Sequence, residues 1–536
     1  MIKRIEEIIK KAVGEDAVFT VEVPPDQKMG DYMTNVALRV ASTLKKSPEE
    51  AAREIAEKII KADKGKMFSD VSVAGPGFIN FFVNPKFFYE ELSEMLRMGD
   101  EYGGSDEGNG KKVRIEYVSA NPTGPIHIGN LRGGPIGETL ARVFEKSGFK
   151  VLREYVHNDA GTQVEKLGET LWYWYEKLRG NEASFPDGGY RGDYGKEVAE
   201  AVAEALGPNL EKSQISEIIA FGLNHIFEEN KETLKRIGIT FDKIVSESNL
   251  ISSGATEEVV SEMKSLNVTK ERDGALWFVP NDEFLSDRES VIVRSSGQPT
   301  YFASDIAYHK EKFTSGYDLV FDIFGSNHHG HAPKLQALTK LFGFNPQNFI
   351  VLLYQYVRIK RGDEAVTMSK RAGTYVTAKE VLDEVGPDNV IFFLLMHSLT
   401  THIDFDLDLA KKKSLENPVY YVQYAYVRAK RILEESGMEP MVSDLSLLNT
   451  QPELALIKKL SNFPEVVSMV CKTYEVHRIT HYATELAREF HSFYEKTRVL
   501  VDDKDLSMAR LNLVRSVVIV LANTLNLIGV SKPESM

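Results

Sequence analysis

Apolar residues recur three and four apart over long stretches of this chain, and short apolar runs of strand length lie between them. The opening segment puts Ile2, Ile5, Ile8, Ile9 and Val13 on one helical face. A strand is predicted around 17–23, helices over 32–44 and 48–60, and strands at Val71–Val73 and Phe78–Val83. Residues 1–105 therefore predict an α/β module. A polar, glycine-containing linker, Glu101–Gly110, follows it.

Residues 106–408 alternate strand and helix. Val113–Val118 predicts a strand and Lys150–His157 another. Between them lies a helix over 131–146, with Pro135 in its first turn, Ile136, Leu140, Val143 and Phe144 on one face, and Gly148 as its stop. The loop at 119–130 thus leaves the carboxyl end of the first strand of a βαβ unit, where open α/β sheets bind ligands. Inserted helices are predicted over 196–206 and 213–237. The alternation resumes near Val291, with a helix over Tyr301–Lys312 and a strand over Tyr317–Phe324. Val351–Ile359 and Ala365–Met368 flank Lys360-Arg361-Gly362-Asp363 as a hairpin. From 409 to 536 the pattern is helical throughout, over 417–435, 452–473, 475–498 and 506–527, which predicts a helix bundle.

At 536 residues the chain is too long for one core, and three domains are expected. Its single cysteine, Cys471, leaves no internal disulfide and no Cys-based zinc site, as suits a reducing cytoplasm. The charged start, Met1-Ile2-Lys3-Arg4, is not a signal peptide. The most apolar stretch, 513–530, carries Arg515, Asn523 and Asn526, so no membrane span is expected. The net charge of −13 argues against a nucleic-acid partner, but 411–536 holds 17 Lys and Arg against 15 Asp and Glu. The last domain is therefore the relatively basic one.

Chemistry concentrates in a few segments. In the loop Ser119–Asn130, Pro122 and Pro125 stiffen the backbone, Gly124 and Gly129 allow close approach, and His127 stands beside helix N–H groups that attract anions. That suits a polyphosphate. Lys370, within Thr367-Met368-Ser369-Lys370-Arg371, is a candidate phosphate cation, with Arg371, Lys360 and Arg361 as helpers. Glu116, Tyr301 and Asp305 offer two carboxylates and a phenol, a set that binds a planar guanidinium better than an ammonium. His328, His329 and His331 could ligate a metal, but adjacent histidines on a strand face opposite ways, so no metal is expected. His157-Asn158-Asp159-Ala160-Gly161 ends a strand and should line the cleft, or cap a helix through Asn158 or Asp159. Tyr420, Tyr421 and Tyr424 could stack on bases, although Tyr420 and Tyr424 share a stripe with Val427 that suits a core. Trp172 and Trp174 read as packing.

The loop N-P-T-G-P-I-H-I-G-N resembles the HIGH signature of class I aminoacyl-tRNA synthetases, and Met368-Ser369-Lys370 resembles the centre of their KMSKS loop. Glu116 with Asn121–Pro125 resembles the arginyl-tRNA synthetase version. The segments Met29–Val36 and Ala74–Asn80 are similar to that family's N-terminal domain, and Asn417–Arg428 to its anticodon-binding bundle. Asn130 departs from the family's second histidine, Thr367 from its first lysine and Arg371 from its final serine. The resemblance implies a Rossmann-like α/β catalytic domain between an N-terminal α/β module that contacts tRNA and a C-terminal all-α bundle. It implies ATP-dependent activation of arginine and transfer to the 3'-terminal adenosine of tRNA(Arg). His127, Asn130 and Lys370 would be catalytic. ATP would meet Pro125, His127, Gly129, Asn130, Met368, Ser369 and Lys370. Arginine would meet Glu116, Asn121, Tyr301, Asp305 and His328. Tyr420, Tyr424 and Arg428 are the tRNA candidates. ATP with Mg2+ would be a substrate complex, with no tightly bound cofactor, and the enzyme a cytoplasmic monomer. A non-enzymatic tRNA-binding relative would explain Asn130 and Thr367, but not the complete set Glu116, Asn121, Tyr301 and Asp305. A small-molecule nucleotidyltransferase leaves both flanking domains unexplained. A dehydrogenase fails because Gly129–Gly134 lacks G-x-G-x-x-G spacing.

Overall fold

The computed structural model describes residues 1–24, 26–280, 289–362, 364–365, 376–438 and 443–536. The N-terminal module is a four-stranded antiparallel sheet, in the order Val21–Glu22, Tyr32–Thr34, Phe78–Val83, Phe68–Ala74, under helices Ile2–Val13, Val36–Leu44 and Pro48–Ala62. The helix expected from residue 32 therefore starts four residues later. Tyr32 and Thr34 are buried on one face of a strand paired with Phe81 and Ile79, and that pairing outweighs the helical spacing.

A helix not expected from the pattern, Pro85–Met98, joins this module to the rest. Asn84 caps it by accepting from the Lys86 N–H, and Phe88, Leu92 and Met95 are buried. Residues 101–110, expected as a linker, are packed against the bundle. Asn523 Nδ2 donates to the carbonyls of Gly99 and Tyr102, Tyr102 is buried, and Glu107 accepts from Ser468.

The central sheet has five parallel strands, in the order Phe349–Tyr354, Leu319–Gly325, Lys112–Tyr117, Lys150–His157, Lys243–Ser246. The chain leaves Lys112–Tyr117 to build outward on both sides, so the carboxyl end of this strand is the topological switch point. Helix Gly133–Lys146 lies close on it, since a Cβ on Gly137 would stand 2.3 Å from Tyr117 Cγ. The strand expected over 351–359 is two strands, Phe349–Tyr354 in the central sheet and Val357–Arg361 in a separate small sheet with Ile403–Asp406 and Glu364–Ala365. Gln355 and Tyr356 carry the chain from one sheet to the other. The hairpin at 360–365 is present, with Lys360 opposite Ala365.

The C-terminal part is a bundle of Pro418–Ser436, Gln451–Ser461, Phe463–Thr473, His477–Lys496 and Lys504–Ile528. The single helix expected over 452–473 breaks at Asn462, because Pro464 cannot donate to the preceding turn and starts a new helix instead. Lys504–Ile528 is long and apolar enough to cross a membrane, with mean hydropathy 1.7 in its most apolar window, but 78% of that window is buried and it forms the centre of the bundle. It also packs on Gly133–Lys146, where Arg142 donates to the Asn526 carbonyl at 3.0 Å. One continuous apolar core runs from the first module through the central sheet into the bundle.

Candidate active site

At the switch point the backbone leaves the first strand under strain. Val118 and Ser119 adopt positive φ values of 69° and 34°, unusual for residues with side chains and a mark of functional loops. Neighbouring elements hold the loop there. Ser119 Oγ donates to Glu116 Oε1 at 2.8 Å and accepts from the Val156 N–H, while Tyr155 donates to the Ala120 carbonyl. The inserted helices hold the far side. Tyr194 donates to the Thr123 carbonyl at 2.6 Å, and buried Asn230 accepts from the Ile126 N–H and donates to the Gly124 carbonyl.

His127 is the N-cap of the short helix Ile128–Leu131. Its Nδ1 accepts from the Asn130 N–H at 3.2 Å, so a neutral ring carries its proton on Nε2. Beside that donor lie the first N–H groups of two successive helices, a positive environment fit for phosphate oxygens.

A cleft of about 470 Å³ opens above the loop. Glu116, Asn121, His127, Gly129, Asn130, Tyr301, Asp305 and His328 all line it, together with Asn158, His331 and Gln355–Val357. Residues the sequence spreads over more than two hundred positions thus share one wall. Pro125, expected at the nucleotide, lines instead a second groove on the opposite side of the loop, with Tyr194, His225 and Thr377. Lys370, Met368 and Ser369 lie outside the described residues, as do Thr367 and Arg371. The segment that follows them is tied to the loop, since Ala378 N–H donates to the Ile126 carbonyl at 2.7 Å and Thr377 bridges to His127.

The far end of the cleft is acidic. Tyr301, Asp305, Tyr308 and Lys312 form one stripe of helix Tyr301–Thr314. Asp305 Oδ2 is buried without a hydrogen bond, although His331 Nε2 lies 2.9 Å away. Asp305 raises the Tyr301 hydroxyl well above its ordinary range, with Glu116 and Glu247 adding to it, although about half of the residue is exposed. Glu247 was not anticipated from the sequence. It directly follows the edge strand Lys243–Ser246 and is buried, and burial together with Asp305 and Asp159 pushes it up to about 7. Carboxylates gathered beside a buried one in this way suit a cation. The expected cap role of Asp159 falls elsewhere in the fold: it accepts from Ser246 Oγ and from the Ser248 N–H and Oγ, while Gly161 precedes helix Thr162–Leu178.

The histidine run begins in a 3-10 turn, Ser326–His328, and continues in turns rather than on a strand, so alternation of faces does not apply to it. His328 stacks on Phe324 at 5.1 Å, and burial lowers its affinity for a proton, which keeps the ring neutral beside the cleft.

A second surface lies on the bundle. Tyr420 and Tyr424 are only half-buried and line an open groove with Lys413, Arg428 and His491, so the core role expected of them does not hold, although Val427 is buried. Their rings stack at 6.0 Å, Arg428 lies over Tyr424 at 4.5 Å and over Tyr494 at 4.8 Å, and its Nη2 donates to Tyr424 OH at 2.7 Å. A cation among exposed aromatic rings suits nucleobases and phosphate.

Comparison with known proteins covers the whole chain. Family models match residues 1–83 (arginyl tRNA synthetase N terminal domain), 91–184 and 196–390 (tRNA synthetases class I (R), catalytic domain) and 422–536 (DALR anticodon binding domain). The arginine–tRNA ligase of Syntrophotalea carbinolica is 44% identical over 528 residues, 96% of this chain and 94% of that protein. That of Thermotoga maritima is 42% identical over 544 residues, 100% of this chain and 99% of its own. Among solved structures, Thermus thermophilus arginyl-tRNA synthetase shares the fold with a TM-score of 0.81 at 23% identity, covering all of both chains. The Plasmodium falciparum arginyl-tRNA synthetase does so at 0.75 and 17%, covering 100% of this chain and 98% of that one.

Proposed function

This chain belongs to the arginyl-tRNA synthetase family, and from that premise we propose how its cleft divides the work. The protein is an arginine–tRNA ligase. It activates arginine with ATP to arginyl-adenylate and pyrophosphate, then transfers the arginyl group to the 3'-terminal adenosine of its tRNA.

In our reading, Asp305, Glu247 and Tyr301 take the guanidinium at the acidic end. Glu116 and Asn121, at the root of the loop, face the amino-acid end of arginine, with His328 alongside. ATP lies toward His127, Gly129 and Asn130, where His127 Nε2–H and the helix N–H groups face its phosphates. Lys370, with Met368 and Ser369, supplies positive charge to them from the KMSKS-like segment. Mg2+ arrives bound mainly through ATP oxygens and neutralises part of the triphosphate charge. Asn130 donates a neutral hydrogen bond in place of a second histidine. Catalysis needs no covalent enzyme intermediate: the arginine carboxylate is held in line with the α-phosphate, and charge growing on pyrophosphate is met by fixed donors. The groove of Tyr420, Tyr424 and Arg428 takes tRNA bases, and the module of residues 1–105 meets the tRNA away from the cleft. Residues 106–408 carry the catalysis and 409–536 the anticodon contact. The enzyme works as a cytoplasmic monomer without a tightly bound cofactor.

The observation that carries this reading is the polarity of one cleft, with Asp305 and the raised carboxyl of Glu247 gathered at one end and a histidine-capped helix start at the other. It is tested by tRNA charging and pyrophosphate exchange with each amino acid, with and without tRNA. Arginine alone is expected to support both. Equal activity with lysine would overturn the guanidinium assignment.

A further inference from the structure

We propose that Lys312 is a positioning residue for arginine charging, which rests on reading this cleft as the arginine site: its buried ammonium, shared with Asp322, fixes the orientation and charge of Glu116 from behind. The central sheet creates the need for it. Asp322, Glu116 and Glu154 occupy directly opposed positions on three adjacent strands, and all three are buried. Like charges placed side by side in a sheet repel.

Cations answer this row. Arg114 grips Glu154 with a fork, Nε at 2.7 Å and Nη2 at 2.5 Å. Lys312, on the helix that carries Tyr301 and Asp305, is wholly buried, bonds Glu116 Oε2, reaches Asp322 Oδ1 at 2.5 Å and lies 4.2 Å from the centre of the Tyr308 ring. Arg114 also bonds Glu311 Oε2 at 2.6 Å, and Lys243 Nζ lies 3.6 Å from Glu154 Oε1, so Glu154 has two cations near it, whereas Glu116 and Asp322 divide the Lys312 ammonium. Tyr308 OH stands 2.6 Å from Glu154 Oε2 and 3.1 Å from Glu116 Oε2, with a single proton to donate. Ser119 Oγ holds the other oxygen of Glu116. On the far side of Asp322, His309 Nε2 lies 2.9 Å from Oδ2 while Nδ1 lies 2.7 Å from the Asp305 carbonyl, which links the row to the acidic end of the cleft.

The consequence for Glu116 is direct. Burial pushes its carboxyl above the usual range, Asp322 and Glu154 add to that, and Lys312 is the principal influence drawing it back down. Without the ammonium, Glu116 takes up a proton and turns from an acceptor for the substrate's positive groups into a donor.

Three variants of the full chain test this: Lys312→Met, Lys312→Arg and Lys312→Gln/Asp322→Asn, the last removing one charge of each sign. kcat and KM for arginine and for ATP are measured in tRNA charging between about pH 6 and 9, beside thermal unfolding. Lys312→Met is expected to lose about a hundredfold in kcat/KM for arginine, chiefly through KM, with the ATP KM close to that of the unaltered chain. The acid limb of its arginine profile should rise by about one pH unit or more. Lys312→Arg should keep the limb in place and recover most of the arginine affinity. If Lys312→Met does not fold, the paired variant is expected to raise the acid limb by a smaller amount, since Asp322, which also pushes Glu116 up, is removed with the ammonium. An acid limb that stays in place in every folded variant lacking the ammonium, or equal losses toward arginine and ATP, would reduce Lys312 to a structural charge and overturn the proposal. Failure of the unaltered chain to charge arginine would instead overturn the reading of the cleft.

Discussion

The guanidinium of Arg132 donates a 2.7 Å hydrogen bond to the main-chain carbonyl of Gln355, where the chain passes from the central sheet to the small one. It also donates to the carbonyls of Thr401 and Ser398, both at 2.9 Å. Arg132 is completely buried, and burial draws its pKa down to about 10. A residue two places after the signature loop therefore fixes Gln355–Val357, which line the cleft. Arg132→Met leaves three carbonyls without their donor. It is expected to lower stability by ~3 kcal/mol, read by urea unfolding, and to raise the ATP KM about tenfold with a smaller effect on arginine. An unchanged ATP KM would separate the anchor from the cleft.

Glu247 gives the enzyme a pH signature. With its carboxyl at about 7 in the folded chain, against an ordinary value near 4.5, the folded state holds this proton between those values. Its contribution therefore turns against folding as pH rises through that window. Asp305, Asp159 and Tyr301 face it, and a bound guanidinium favours its ionised form. Arginine binding should expel a proton near pH 6, read by calorimetry in buffers of different ionisation enthalpy. Affinity should rise with pH up to about 7, at most about tenfold per unit. Glu247→Gln should flatten the profile, bind arginine more weakly at pH 8 and melt at a higher temperature there. Affinity independent of pH from about 5.5 to 8 would contradict this role.

The bundle groove makes a separate prediction. Arg428→Ala and Tyr424→Ala each remove a stacking partner from a groove whose lining shares no residue with the cleft, so the tRNA KM should rise about tenfold while arginine and ATP kinetics hold. Equal tRNA KM values for variant and parent would assign the groove to packing.

How far the sequence revealed this site follows from the physics of each residue. Helix Tyr301–Thr314 was legible because its stripe keeps the helical period, and that period alone set Tyr301 and Asp305 on one face. The signature loop was legible because proline, glycine and histidine each constrain the backbone visibly. Glu247 was hidden by a strand of only four residues within an insertion, whose membership of the central sheet depends on pairing with Glu154–His157. Lys312 was hidden for another reason. A lysine on an amphipathic helix reads as solvated, and only the register of Asp322 against Glu116 shows why one is buried there. The strand at 32–34 and the break at Asn462 were lost similarly, to sheet pairing and to a proline that restarts a helix.

The account depends most on the acidic end of the cleft, and the most direct measurement is the arginine KM of Asp305→Asn beside its ATP KM in tRNA charging. The arginine KM is expected to rise about a hundredfold, with the ATP KM within about threefold of the parent. An arginine KM equal to the parent's would remove Asp305 from the pocket and contradict the assignment of this end of the cleft to the guanidinium.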